Sequence, residues 1–169
     1  MAVTHTLIQT VTVTASGGAA NIEFTSIPQT YKDLLFVVSG RATTDNPTLY
    51  TYFNNDTTAS NYVFKAINGD GASASASGTT QAWFMRVTPS SATASSFSNG
   101  VMYIPNYTGS TIKSVGVNSV TENNGTTGYT QWNAGLWSGT AAITSIKLDP
   151  YGTDFAQYSS ASLYGIKNS

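Results

Sequence analysis

Between residues 6 and 166 the chain breaks repeatedly into short stretches of Val, Ile, Phe, Tyr and Thr, separated by Gly, Asn, Asp, Pro and Ser, with no convincing helical period. That pattern constrains the fold most. β-branched and aromatic residues suit a pleated, half-buried surface, and the separating residues suit turns. Candidate strands fall at residues 6–14, 21–26, 33–43, 49–53, 62–67, 81–88, 97–104, 111–120, 128–137, 143–148 and 162–166. About ten or eleven strands at this spacing predict an all-β chain, an antiparallel β-sandwich of jelly-roll-like form.

Within this series, residues 33–43 form the strongest apolar run, with Leu34, Phe36 and Val38 opposed to Leu35 and Val37, and they read as a central strand. Residues 6–14 alternate, with Leu7, Gln9, Val11 and Val13 sharing a face, and the Gly-rich stretch after them suggests a hairpin to residues 21–26. Ile27-Pro28 closes the second strand. Residues 71–80 (GASASASGTT) are polar and of low complexity, and they are expected to form a mobile surface loop. Turn signals include Asn106-Tyr107-Thr108-Gly109, Glu122-Asn123-Asn124-Gly125 and Asp149-Pro150-Tyr151-Gly152. No internal repeat or linker divides the chain, so residues 1–169 read as a single domain.

Charge narrows the function. Charged residues make up 9% of the chain, the net charge is −1, and the seven basic residues are scattered, so no electrostatic footprint for nucleic acid is present. No apolar run approaches the roughly 20 residues of a membrane-spanning helix. Residues 1–10 lack the basic and continuous apolar regions of a secretory signal, so synthesis in the cytoplasm is expected. Cysteine is absent, which removes disulfides and thiolate metal sites.

Few groups could carry catalysis. His5, the one histidine, has no carboxylate near it in sequence and reads as a solvated residue. Asn54-Asn55-Asp56 and Asn68-Gly69-Asp70-Gly71 place oxygen donors in turns but lack the spaced carboxylates of a calcium loop, and Asx turns account for both. Asp149 and Asp154 are the nearest thing to a glycosidase pair, with nothing in their spacing to separate them from turn formers. No nucleophile elbow or phosphate-binding loop is present. The chain is therefore read as a non-enzyme with no cofactor and no metal.

Aromatics are the remaining signal. Tyr129, Trp132, Trp137, Tyr151, Phe155 and Tyr158 cluster late in the chain, and Tyr129, Trp132 and Trp137 are the candidate interaction surface, for sugars or for protein. In an unbroken strand Trp132 and Trp137 point to opposite faces, so one reaches the outside unless a bulge at Gly135 restores the parity.

Four segments carry a family resemblance: Ile22-x-Phe24-x-Ser26-Ile27-Pro28-Gln29-Thr30-Tyr31-Lys32-Asp33-Leu34; Ile104-Pro105-Asn106-Tyr107; Gly135-Leu136-Trp137 with Ala142-Ile143-Thr144-Ser145-Ile146; and Ser162-Leu163-Tyr164-Gly165-Ile166-Lys167. Together they resemble small structural proteins of tailed bacteriophages. The resemblance implies a jelly roll on the virion, most directly a capsid decoration (cement) protein. Such a protein would bind the major capsid protein and associate with itself as a homotrimer. The alternative is a tail-fibre or receptor-binding module that recognises surface carbohydrate. No catalytic residues come with the resemblance. The four segments themselves are expected to specify the fold rather than a binding site.

Overall fold

The computed structural model describes residues 4–121 and 128–167. In them the alternation becomes twelve strands: β1 (Thr4–Thr12), β2 (Ile22–Phe24), β3 (Asp33–Ser39), β4 (Thr48–Phe53), β5 (Tyr62–Gly69), β6 (Ala74–Thr79), β7 (Trp83–Arg86), β8 (Asn99–Ile104), β9 (Lys113–Thr121), β10 (Tyr129–Trp137), β11 (Ile146–Pro150) and β12 (Ser160–Lys167). All named pairings are antiparallel, in an eight-stranded sheet β1-β12-β3-β8-β9-β10-β5-β6 and a four-stranded sheet β2-β11-β4-β7. The turn expected at residues 122–125 lies outside the described residues.

The topology is a long hairpin rolled up. First pairs with last (β1·β12), then β2·β11, β3·β8 and β4·β7, and successive pairs fall in alternate sheets. This is the jelly-roll-like sandwich expected from the sequence. Two insertions, β5-β6 and β9-β10, meet through the β5·β10 ladder and extend the larger sheet beyond β8. The extension carries the surface of interest.

Packing follows from the alternation. Leu34, Phe36 and Val38 on β3 are fully buried while Leu35 and Val37 are half-buried, and β3 is an interior strand as expected. Across the sandwich Phe24 meets Phe36 edge to face, with ring centroids 5.2 Å apart. Phe53, Tyr62, Phe84 and Trp137 form a second aromatic group. Each such fully buried side chain stabilises the fold by roughly 1.5–3 kcal/mol relative to exposure.

Three local expectations are corrected. The first is the hairpin of residues 6–14 with 21–26: β1 pairs with β12 and β2 with β11, because the chain passes between sheets after Val13. That crossing lets Val13 and Ile22 reach the core from different layers. The second is the shared face of Leu7, Gln9, Val11 and Val13. A bulge between Leu7 and Gln9 reverses the parity, leaving Leu7 54% exposed and turning Val11 and Val13 toward the core. The third is the loop at residues 71–80, most of which is strand β6. Every β6 side chain is exposed, so no burial period marks it in sequence. Backbone pairing to β5 holds it, and Asp70 Oδ1 closes the turn by accepting from the amides of Ala72 (2.9 Å) and Ser73 (2.6 Å).

The four segments that carry the resemblance converge on one end of the sandwich. Asp33 opens β3 with its carboxylate buried, accepting from the Tyr103 hydroxyl at 2.7 Å and the Asn106 amide at 2.8 Å. Lys32 donates through its amide to the Ile166 carbonyl (2.8 Å) and through Nζ to Asn106 Oδ1 (3.0 Å). Tyr107 donates its hydroxyl to the Pro28 carbonyl, and its own carbonyl receives the Ile143 amide at 2.9 Å. Tyr31 lies directly on Gly165, where a Cβ would sit 2.3 Å from the ring. These contacts join the segment after β2, β3, β8 with the turn after it, β12 and the segment before β11 into one knot, a structural use of the residues.

Candidate interaction surface

Strand β10 sorts the candidate residues. Its register runs unbroken against both β5 and β9, so no bulge intervenes at Gly135 and alternation decides where each side chain goes. Trp137 is 3% exposed; its ring lies 5.6 Å from that of Phe53, and Nε1 donates to Asp56 Oδ2 at 2.8 Å. It is a core residue, so its expected place on the interaction surface is corrected. Trp132, of opposite parity, is 64% exposed on the outer face of the large sheet. Tyr129 has the inward parity of Trp137, but it lies at the far end of the strand and stays 37% exposed.

Tyr129 stacks on a cation. The Arg86 guanidinium sits 4.6 Å from its ring centroid and 5.8 Å from that of Trp83. Burial lowers the pKa of Arg86 from its ordinary value, with the nearby Tyr129 acting weakly the other way. Tyr129 and Trp132 therefore belong to different faces and do not form one platform. Of the other late aromatics, Phe155 is buried while Tyr151 and Tyr158 are exposed.

The surroundings of Trp132 are read from the ladders. Val101, Asn118, Trp132, Ile67 and Ala76 form one row across β8, β9, β10, β5 and β6. Tyr103, Gly116, Ala134, Lys65 and Gly78 form the next. Ile67 is 64% exposed beside Trp132, an unusual load of apolar surface for an outer face. Lys65 is the one charged side chain in these two rows. Its Cδ lies 2.7 Å from where a Cβ on Gly78 would stand, so it leans toward β6 and away from β10.

Trp132 thus stands as a fin between two depressions. One, of about 240 Å³, is lined by Ile67, Asn68, Gly69, Ala74 and Thr130. The other, of about 410 Å³, lies over Gly116 and Asn118 between Trp132 and Tyr103. Tyr103, Gly116, Asn118 and Ile67 were not singled out from sequence. The alternate positions of β8, β9 and β5 were the available signal, but only the strand order shows that they surround Trp132.

Some of the groups considered for chemistry have structural partners. Asn54 Oδ1 accepts from the Thr144 and Ser145 amides at 2.8 and 3.2 Å, and Nδ2 donates to the Ala142 carbonyl at 2.8 Å. His5 is exposed on β1. Asp149 and Asp154 border one open depression with Asn21, Thr43 and Thr153, and Asp149 lies 4.0 Å from Lys147 Nζ. Among the described residues no three His, Cys, Asp or Glu side chains gather as a metal site.

Asp56 has a measurable consequence. Burial pushes its pKa up, but hydrogen bonds from Trp137 Nε1, Asn61 Nδ2 and the Thr58 amide outweigh that and hold it below the usual value. A depressed carboxyl pKa contributes stability above the unfolded value of about 3.9 and loses it as pH falls through the folded value. Asp56→Asn is expected to cost about 1.5 kcal/mol at pH 7. The gap from wild type should shrink below pH 4, as followed by urea unfolding at both pH values; a pH-independent gap would refute the linkage.

No family model, curated protein or solved structure matches this chain.

Proposed function

We propose that this chain is a non-enzymatic structural protein of a tailed-bacteriophage virion, acting as a capsid decoration protein that binds the major capsid protein and associates with itself as a homotrimer. The observation that carries the reading is the meeting of Pro28, Tyr31, Lys32, Asp33, Asn106, Tyr107, Ile143, Gly165 and Ile166, drawn from the four resembling segments, in one hydrogen-bonded and packed knot within a jelly-roll framework. Fold alone does not supply a function. Here several of the residues behind the resemblance also tie the framework together, which supports a shared architecture rather than a chance likeness of strands.

The surface supports assembly. Among the described residues strand β6 is an open sheet edge without charge, proline or bulge, and natural proteins ordinarily protect such edges. Contact between copies would cover it. Cryo-electron microscopy of the particle is expected to reveal this protein on the head at threefold positions, with sedimentation of the pure protein giving a trimer. Density confined to the tail, or absent from the particle, would overturn the decoration role.

A further inference from the structure

We propose that the depression beside Trp132 binds a neutral sugar ring, with Trp132 as the stacking wall and Asn118 as the group that reads hydroxyls. This goes beyond the decoration role and does not depend on where in a virion the protein sits. The argument begins with shape. Trp132 on β10 and Tyr103 on β8 stand at opposite corners of a patch whose remaining members are Gly116, Ala134, Asn118 and Val101. The two flanking backbones lie about 9.6 Å apart, twice the strand spacing. Gly116 and Ala134 keep the floor low, and a Cβ on Gly116 would meet nothing within 4 Å. Packing therefore does not demand that glycine, yet it leaves the depression open.

One wall is set in advance. The Tyr103 hydroxyl donates to the buried Asp33 carboxylate at 2.7 Å, which anchors the ring before any ligand arrives. Trp132 is held at its backbone by ladders on both sides. A ligand meeting a preset Tyr103 wall loses less affinity to ordering there.

Charge and polarity select the occupant. The floor and both walls carry no exposed charge, and Lys65 leans the other way, so an anionic ligand finds no counterion. A wholly apolar ligand would cover Asn118 and leave its amide unpaired, which is costly. A sugar ring offers an apolar C–H face to the indole and hydroxyls to an amide that both donates and accepts. The depression, of about 410 Å³, is broad and shallow, so it offers one face for a ring laid against the indole rather than an enclosing cleft.

The test uses the full chain, titrated with cellotetraose, maltotetraose and chitotetraose and followed by amide chemical shifts, with tetragalacturonate as the charged control. At least one neutral tetrasaccharide is expected to shift the amides of Gly116, Asn118 and Trp132, with little response to the control. Trp132→Ala and Gly116→Val should each weaken that binding by roughly tenfold or more. Valine fits the empty space on a strand it favours, so Gly116→Val should keep the wild-type melting temperature while filling the site. Absence of binding to all three neutral sugars, or binding that survives Gly116→Val, overturns the proposal. So does a Trp132→Ala variant that alters sedimentation with no sugar response, because the face would then be a protein contact.

Discussion

Trp137→Ala is expected to lower the unfolding free energy by about 3–5 kcal/mol, whereas Trp132→Ala, five residues earlier on the same strand, should change it by no more than about 0.5 kcal/mol. The difference comes from parity alone. Trp137 fills the space beside Phe53 and satisfies its indole N–H at Asp56, so truncation leaves a cavity and removes a donor to a carboxylate. Trp132 exposes most of its surface and has little burial to lose. For a chain of this length each 1 kcal/mol moves the melting temperature by about 2–4 °C, so the first variant should melt roughly 6–20 °C below wild type. Urea and thermal unfolding of the two variants measure the contrast. Comparable losses at both positions would mean that β10 is not in this register.

Phe84→Ala is expected to cost about 3–5 kcal/mol, and Gly135→Val about 1–3 kcal/mol by overpacking. Both act at one seam between the sheets. A Cβ on Gly135 would stand 2.8 Å from Phe84 Cε1 and 2.7 Å from Val115 Cγ2, so the ring on β7 is seated where β10 has no side chain. Phe84 itself is fully buried against Phe53 and Tyr62. Because one site supplies the void the other fills, the double variant should be less destabilised than the sum of the singles, by about 1 kcal/mol. A double-mutant cycle by urea unfolding tests this. Strict additivity would show that Phe84 and Gly135 are not in contact.

How much of this could be read in advance depends on the kind of information each residue carries. Trp132 and Trp137 were separable from sequence, because side-chain direction in an unbroken strand is a local property of period two. Which of them faced outward was not separable, since that depends on the layer lying against β10. Strand β6 is silent in the sequence for a related reason: its small polar side chains bury nothing, and its order comes from the neighbouring β5 backbone. The bulge in β1 was equally silent, because it answers to the register of β12.

The resembling segments show the same division. Tyr31, Asp33, Asn106, Tyr107 and Gly165 are scattered along the sequence, and their common role emerges only where β2, β3, β8 and β12 reach one end of the sandwich. Gly165 in particular is explained by a tyrosine far from it in sequence.

Alternation and turn chemistry by themselves determined that this chain is an all-β sandwich, because each acts within a few residues of backbone. Tertiary structure alone decided the order of the strands, the inward turn of Trp137, and the meeting of Trp132 with Tyr103, Gly116 and Asn118. Those outcomes follow from burial and pairing between residues distant in sequence, where period-two patterning permits many partners and packing selects one.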